Sequence, residues 1–340
     1  MQKKRIRVLV VDDSLMMREA IAAGLSKDES LEVVGRAADP FEARDKIVEL
    51  EPDVLTLDVE MPRMNGIEFL KRLMPQYPLP VVVVSSLSST VFEALNAGAV
   101  DFVAKPGARP GIEMDSFMQE LAVKVKIASM AKVAHMKRSA PQGGAGSVQV
   151  SPRALVAIAA STGGTEATLQ VLRAFPQDMP PALIVQHMPP VFTRLYAERL
   201  DASCAIRVRE ARDGDVAERG HAYVAPGDMQ MRVLWDGNAY RIHCWAGEKV
   251  SGHCPSADVL FDSVADAARA DAVGAILTGM GADGARGLLK MRRSGAYTVG
   301  QDEATSVVYG MPMAAWNIGA VERQAALEDI PGILLKHFEK

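Results

Sequence analysis

Five short apolar runs, rich in valine, recur through the first third of the chain at residues 8–11, 32–35, 54–57, 81–84 and 101–104. Between them lie stretches with helical periodicity at 16–25, 43–50, 66–73 and 92–97. A run that is apolar at nearly every position, rather than at alternate ones, is a strand covered on both faces. Strands of that kind alternating with helices can close only into a parallel sheet with helices on either side. The expected first domain is therefore a five-stranded, doubly wound α/β domain over residues 5–122.

The chain has 340 residues, enough for a second core of similar size. After Asp115 comes a helical stretch carrying Lys124, Lys126, Lys132, Lys137 and Arg138, broken at Pro141 and followed by Gln142-Gly143-Gly144-Ala145-Gly146-Ser147. Such composition is linker chemistry, and residues 123–152 are expected to be a solvated helix and flexible linker. From residue 153 to 340 a second α/β pattern follows, with apolar runs at 154–159, 182–185, 221–224, 274–277 and 297–299 and a helix over 256–270. Residues 231–235 and 240–245, joined across Asp236-Gly237-Asn238, predict a β-hairpin on this second sheet.

Charge and cysteine content narrow the function. Lys and Arg number 38 against 42 Asp and Glu, a formal charge of −4, which offers no general footprint for nucleic acid. Three cysteines cannot build a disulfide framework and fit a reducing compartment. The basic N-terminus is followed by an apolar run that Asp12 and Asp13 interrupt at once, and no stretch reaches the length of a membrane span. A cytoplasmic protein without membrane insertion is expected.

In the first domain the chemistry sits at strand ends. Asp12 and Asp13 follow the first run, Asp58 ends the third, Ser85 ends the fourth and Lys105 follows the fifth. All lie at the carboxyl edge of a parallel sheet, where such folds place ligands. A lone acid there would be a turn or cap residue. Three together repel unless a cation neutralises them, and Mg²⁺ suits Asp12, Asp13 and Asp58. Asp58 is the candidate nucleophile for an aspartyl-phosphate, with Ser85 and Lys105 holding phosphoryl oxygens.

Val10-Val11-Asp12-Asp13-Ser14, Leu57-Asp58-Val59-Glu60-Met61-Pro62-Arg63-Met64-Asn65-Gly66, Ser85-Ser86 and Lys105-Pro106 resemble the response-regulator receiver family. Asn65 stands where that family often has Asp, at a turn. The resemblance implies the flavodoxin-like version of this fold and phosphorylation of Asp58 by a histidine kinase.

In the second domain, the run 154–160 leads into Ser161-Thr162-Gly163-Gly164-Thr165 and then a helical pattern. Serine there is either a helix N-cap or a nucleophile exposed on a strand-to-helix turn, where backbone N–H groups face a developing oxyanion. His187 ends the next strand and Asp283 lies beyond a third, so Ser161, His187 and Asp283 can converge as nucleophile, general base and orienting carboxylate. A rival reading is a dinucleotide site, because Gly279-Met280-Gly281-Ala282-Asp283-Gly284 spells GxGxxG, with Asp302 and Glu303 about 20 residues on. A carboxylate inside a pyrophosphate-cradling loop argues against it. His243-Cys244 and His253-Cys254 match no common zinc spacing, and most of the 18 methionines read as core filler.

Ile158-Ala159-Ala160-Ser161-Thr162-Gly163-Gly164, Gln186-His187-Met188-Pro189, Ala225-Pro226-Gly227, His253-Cys254-Pro255-Ser256-Ala257-Asp258, residues 278–284 and Gln301-Asp302-Glu303-Ala304-Thr305-Ser306 are similar to the chemotaxis protein-glutamate methylesterase family, CheB. The resemblance spans nearly the whole chain and implies a cytoplasmic chemotaxis response regulator. Its activities would be hydrolysis of glutamate methyl esters on methyl-accepting chemoreceptors, releasing methanol, and deamidation of receptor glutamines. A CheA-type kinase would be the phosphodonor. The unphosphorylated receiver would cover the catalytic cleft. Backbone N–H groups of Thr162 and Met280 are expected to hold the oxyanion and His253 to line the cleft, with no cofactor for the esterase. Ala159 stands where the family usually has Gly, which puts the geometry of the nucleophile turn in question. The other class of function is a phosphorylation-dependent receptor-binding module without catalysis.

Overall fold

The computed structural model describes residues 4–86, 88–107, 114–133 and 151–338. The chain divides into two compact units, Met1–Met136 and Lys137–Lys340.

The first unit alternates strands and helices: β1 (Ile6–Val11), α1 (Leu15–Leu25), β2 (Leu31–Ala37), α2 (Pro40–Leu50), β3 (Val54–Asp58), α3 (Gly66–Leu73), β4 (Val81–Ser85), α4 (Ser88–Asn96), β5 (Asp101–Ala104) and α5 (Met114–Ala128). Strand order is β2-β1-β3-β4-β5 with every pairing parallel, as the repeat demands. β3 and β4 are buried at every position, which is why they read as unbroken apolar runs. Asn65 is the N-cap of α3, accepting the Glu68 N–H at 2.8 Å, so the Asn in place of Asp keeps the capping function. Gly66 is required by close approach: a Cβ there would stand 2.3 Å from the Asp58 carbonyl oxygen.

α5 runs through the boundary expected at Ala122, burying Val125 and Ala128 together with Phe117 and Leu121. Its basic residues are not a free face. Lys124 lies 3.0 Å from Asp101 and over the Phe102 ring, and Lys126 is 2.7 Å from Asp28. Lys137, Arg138 and the Gly-rich segment 142–147 lie outside the described residues.

The second unit continues with β6 (Leu155–Ala160), α6 (Gly164–Arg173), β7 (Ala182–Gln186), α7 (Phe192–Asp201), β8 (Arg207–Glu210), β9 (His221–Val224), β10 (Gln230–Trp235), β11 (Tyr240–Trp245) and α8 (Ala257–Ala267). Then come β12 (Ala272–Ile276), α9 (Ala285–Arg293), β13 (Tyr297–Gln301), α10 (Met311–Asn317), β14 (Arg323–Ala325) and α11 (Ile330–Phe338). Seven of the strands make a parallel sheet in the order β14-β13-β12-β6-β7-β9-β8, and β10 and β11 form the expected antiparallel hairpin. The hairpin's inner face, Met231, Val233, Ile242 and Cys244, joins the core with Leu260, Phe261 and Val264 of α8. Central β6 is flanked by β7 and β12, so the loops after these three strands share one edge.

The Ala159 methyl lies in this core cluster beside Leu155, Ala157 and Val185, accommodated on a fully buried strand. No helix among the described residues is long and apolar enough to cross a membrane.

Candidate functional site

Register brings the second unit's site together. Ala160 pairs with Gln186 across β6 and β7, so the residues that follow, Ser161 and His187, leave the sheet side by side, and the His187 N–H donates to the Ala160 carbonyl at 3.1 Å. On the other flank Ile276 pairs with Ala159, and the Ser161 N–H donates to the Thr278 carbonyl at 3.0 Å. The loop after β12 then touches the serine directly. A Cβ on Gly279 would lie 2.7 Å from the Ser161 Cβ, so only glycine fits.

Asp283 is buried and closes the arrangement. Its Oδ2 accepts from His187 Nε2 at 2.8 Å and from the Ala257 N–H at 2.7 Å. Its Oδ1 accepts from the Ser256 hydroxyl at 2.7 Å and from the Asp258 N–H at 3.1 Å. The carboxylate thus caps the N-terminus of α8, where the helix dipole and free N–H groups favour negative charge. Burial alone would raise its pKa. The hydrogen bond and charge of His187, with the donors from Ser256 and Ala257, outweigh it and hold the carboxyl below the usual range. An ionised carboxylate only accepts, so Nε2 is the ring nitrogen that donates to Asp283, and Nδ1 is the one free to exchange a proton elsewhere. Nδ1 is buried with no hydrogen-bond partner among the described residues, Ser161 Oγ included.

The His253 ring stacks on that of His187, centroids 3.7 Å apart and planes within 3°. Burial, and then the neighbouring His187, push its pKa down to about 4, so at neutral pH it packs as an uncharged plate against the His187 ring.

Thr162 is buried and Met280 is 39% exposed. The Gly279 carbonyl accepts from the N–H groups of Gly310 (3.1 Å) and Met311 (2.7 Å). In a trans peptide the N–H points opposite to the C=O, so the Met280 N–H is turned away from the start of α10. The dinucleotide alternative finds its acids already engaged. Asp283 points into protein, and Asp302 accepts from the Thr305 N–H (2.9 Å) and hydroxyl (2.7 Å).

Nothing local in the sequence marks Ser256 or Gln186 as a site residue. Ser256 shows only as a helix-start serine, yet its hydroxyl serves Asp283 instead of its own helix. Gln186 donates from Nε2 to the Ser161 carbonyl at 2.8 Å.

At the carboxyl edge of the first unit, Lys105 Nζ lies 2.6 Å from Asp58 Oδ2 and 2.9 Å from Asp12 Oδ2. Burial raises the Asp58 pKa, against the pull of Lys105. Burial also works against the Lys105 ammonium, but the two carboxylates prevail and raise its pKa. Ser85, at the end of β4, has its hydroxyl 3.4 Å from that of Thr90. Carboxylate oxygens of Asp12, Asp13 and Asp58 lie within 4.8 Å of one another, and among the described residues no other set of three or more metal-ligating side chains gathers this way. Buried Asp12 Oδ2 has the Lys105 ammonium beside it but no aligned hydrogen bond. Three hard oxygen donors, one incompletely satisfied, fit Mg²⁺.

Comparison with known proteins agrees with both halves. A family model described as CheB methylesterase matches residues 156–334, and one described as response regulator receiver domain matches residues 8–114. A protein-glutamate methylesterase/protein-glutamine glutaminase of Syntrophomonas wolfei is 55% identical over 99% of this chain and 98% of its own. One from Caulobacter vibrioides is 51% identical over 96% of each chain. Among solved structures, the CheB methylesterase catalytic domain of Thermotoga maritima superposes with a TM-score of 0.53 at 32% identity, covering 54% of this chain and 97% of that one.

Proposed function

The chain belongs to the CheB methylesterase family, and from that premise we propose that Ser161, His187 and Asp283 hydrolyse glutamyl methyl esters on chemoreceptors under the control of Asp58 phosphorylation. The observation that carries this is the imidazole of His187, locked through Nε2 to a buried, ionised Asp283 and left with an unpartnered Nδ1, on a residue that leaves the sheet at the strand end next to Ser161. A docking surface has no use for such a pair, since an unsatisfied buried nitrogen is destabilising without offsetting gain.

Ser161 Oγ attacks the ester carbonyl carbon while His187 Nδ1 takes the hydroxyl proton. The oxyanion is held by the backbone N–H groups of Thr162 and Met280. As the C–O bond to the methoxy group breaks, His187 returns the proton and methanol leaves. Water then attacks the acyl-serine, again giving its proton to Nδ1, and glutamate is released as Ser161 is reprotonated. With glutamine the leaving group is ammonia, so one site accounts for both activities. The approach of substrate closes the Ser161–His187 hydrogen bond that the free site leaves open. Neutral His253 holds the imidazole plane without adding a competing charge.

In the receiver, Asp58 is the phosphoacceptor and a CheA-type histidine kinase the donor. Asp12, Asp13 and Asp58 would hold Mg²⁺, which would supply charge neutralisation for the incoming phosphoryl group. Lys105, now paired with Asp58 and Asp12, turns to a phosphoryl oxygen once Asp58 is modified, and the Ser85 hydroxyl binds another. This reading places the protein in the cytoplasm. Methanol release from membranes carrying methylated receptors is expected to rise several-fold when a small-molecule phosphodonor and Mg²⁺ are added. Asp58→Asn is expected to hold it at the basal rate. Equal rates with and without phosphodonor, or an Asp58→Asn chain that still responds, would contradict phosphorylation control.

A further inference from the structure

We infer that Gln186 is a positioning residue for the oxyanion hole: its side-chain amide fixes the peptide whose N–H receives the developing charge. The inference rests on the esterase reading above and deepens it.

The Ser161 carbonyl accepts two hydrogen bonds, from the Gly164 N–H at 2.7 Å and from Gln186 Nε2 at 2.8 Å. The first makes residues 161–164 a tight turn. Gly163, at φ 77° and ψ −8°, has the conformation that the third position of a type II turn requires. The second ties the turn to β7, the strand that carries His187. Carbonyl and N–H of one trans peptide point in opposite directions, so pinning the Ser161 carbonyl aims the Thr162 N–H the other way. The Gly279–Met280 peptide shows the same device, its carbonyl held by Gly310 and Met311. Both candidate oxyanion donors are thus set by a doubly held carbonyl. One is held by backbone alone, the other partly by a side chain.

Gln186 is buried, and its Oε1 finds no hydrogen-bond partner among the described residues. A buried amide with one end unsatisfied is destabilising relative to an apolar side chain of the same shape. The bond to the Ser161 carbonyl gives the polar side chain a purpose. It also fills its space: a Cβ on Gly164 would come within 2.4 Å of Oε1. Donors fixed before the reaction stabilise an oxyanion more than donors that must reorient.

The test is Gln186→Met, which keeps volume and removes the donor, in the full chain with phosphodonor and methylated receptor membranes. Expected is a fall in kcat of about 10- to 100-fold, below the 10²–10³ lost when an oxyanion donor itself is removed. KM, the pH midpoint of activity and the melting temperature should stay near wild type, and ester and glutamine substrates should lose equally. Gln186→Glu, which puts an acceptor against the Ser161 carbonyl, should lose at least as much and serves if the Met variant folds poorly. Activity within twofold of wild type in a folded variant overturns the inference. So does a loss confined to KM or accompanied by a shifted pH midpoint. A wild-type chain that releases no methanol would instead sink the esterase reading itself.

Discussion

Replacing Ser161 by Ala is expected to abolish methanol release from methylated receptors, with kcat falling by roughly 10⁵- to 10⁶-fold, the loss seen when a triad nucleophile is removed and the rest of the site stays. The fold should be unaffected. Ser161 is held through its main chain, by the Thr278 carbonyl on its N–H and by Gly164 and Gln186 on its carbonyl, and alanine keeps all three bonds. The melting temperature is therefore expected to match wild type, as is the response of Asp58 to phosphodonor, since the receiver is a separate unit. Loss of turnover without loss of folding or phosphorylation separates a nucleophile from a structural serine. Gly163, not Ser161, is the N-cap of α6, so a Ser161→Ala chain that retains turnover would remove Ser161 from the mechanism and leave it a turn residue.

Asp283→Asn is expected to be nearly as damaging, about 10⁴-fold in kcat, for a different reason. Four donors converge on the two oxygens of Asp283: His187 Nε2, the Ser256 hydroxyl and the N–H groups of Ala257 and Asp258. An amide replaces one acceptor with a donor. If its NH₂ faces His187, the imidazole must protonate at Nδ1 to accept at Nε2, and the base is lost. Either way one N–H at the start of α8 loses its acceptor, that of Ala257 if the NH₂ faces His187 and that of Asp258 if it faces Ser256, at a cost of about 1–3 kcal/mol in stability. The pH dependence has a definite sign. Asp283 has its folded pKa lowered. Its contribution to stability is therefore fully present above the unfolded value, near 3.9 for Asp, and disappears as pH falls through the lower folded value. The stability gap between wild type and Asp283→Asn should stay constant at neutral pH and narrow only in strong acid. An Asn variant with normal turnover would remove Asp283 from the mechanism.

Much of this site is legible in the sequence because a parallel sheet gathers its strand ends at one edge. Ser161, His187 and Asp283 each follow a buried run, and Asp12, Asp58, Ser85 and Lys105 do the same in the first unit. Strand length and periodicity are local properties, and so are the turns that follow. Three kinds of feature escape such reading. Edge strands do not advertise themselves: in β8 only Val208 is buried, and in β14 only Ala325, so both lack an apolar run. Contacts across long separations carry no spacing signal, as with Ser256 on Asp283 and Gln186 on Ser161. The third is the identity of an atom. That His187 is held through Nε2, leaving Nδ1 as the candidate base, follows from where α8 places its N-terminus and not from any motif. The Lys-bearing helix shows the reverse case. Its charges read as a solvated face, but Asp28 and Asp101 sit opposite them, and those partners are visible only after β2, β5 and α5 have packed.

The central claim, that the chain hydrolyses receptor side chains at their carbonyl carbon through Ser161, is tested most directly by following a receptor in heavy-oxygen water. Full-length protein with phosphodonor is incubated with a receptor carrying both methylated glutamates and glutamines, and each modified position is read by mass spectrometry. The account predicts that both become glutamate, each new carboxylate carrying one heavy oxygen from solvent, and that neither changes with Ser161→Ala. Methyl groups lost with no heavy oxygen in the carboxylate would mean that the methyl–oxygen bond is the one broken, and an acyl-serine would have no place in the reaction.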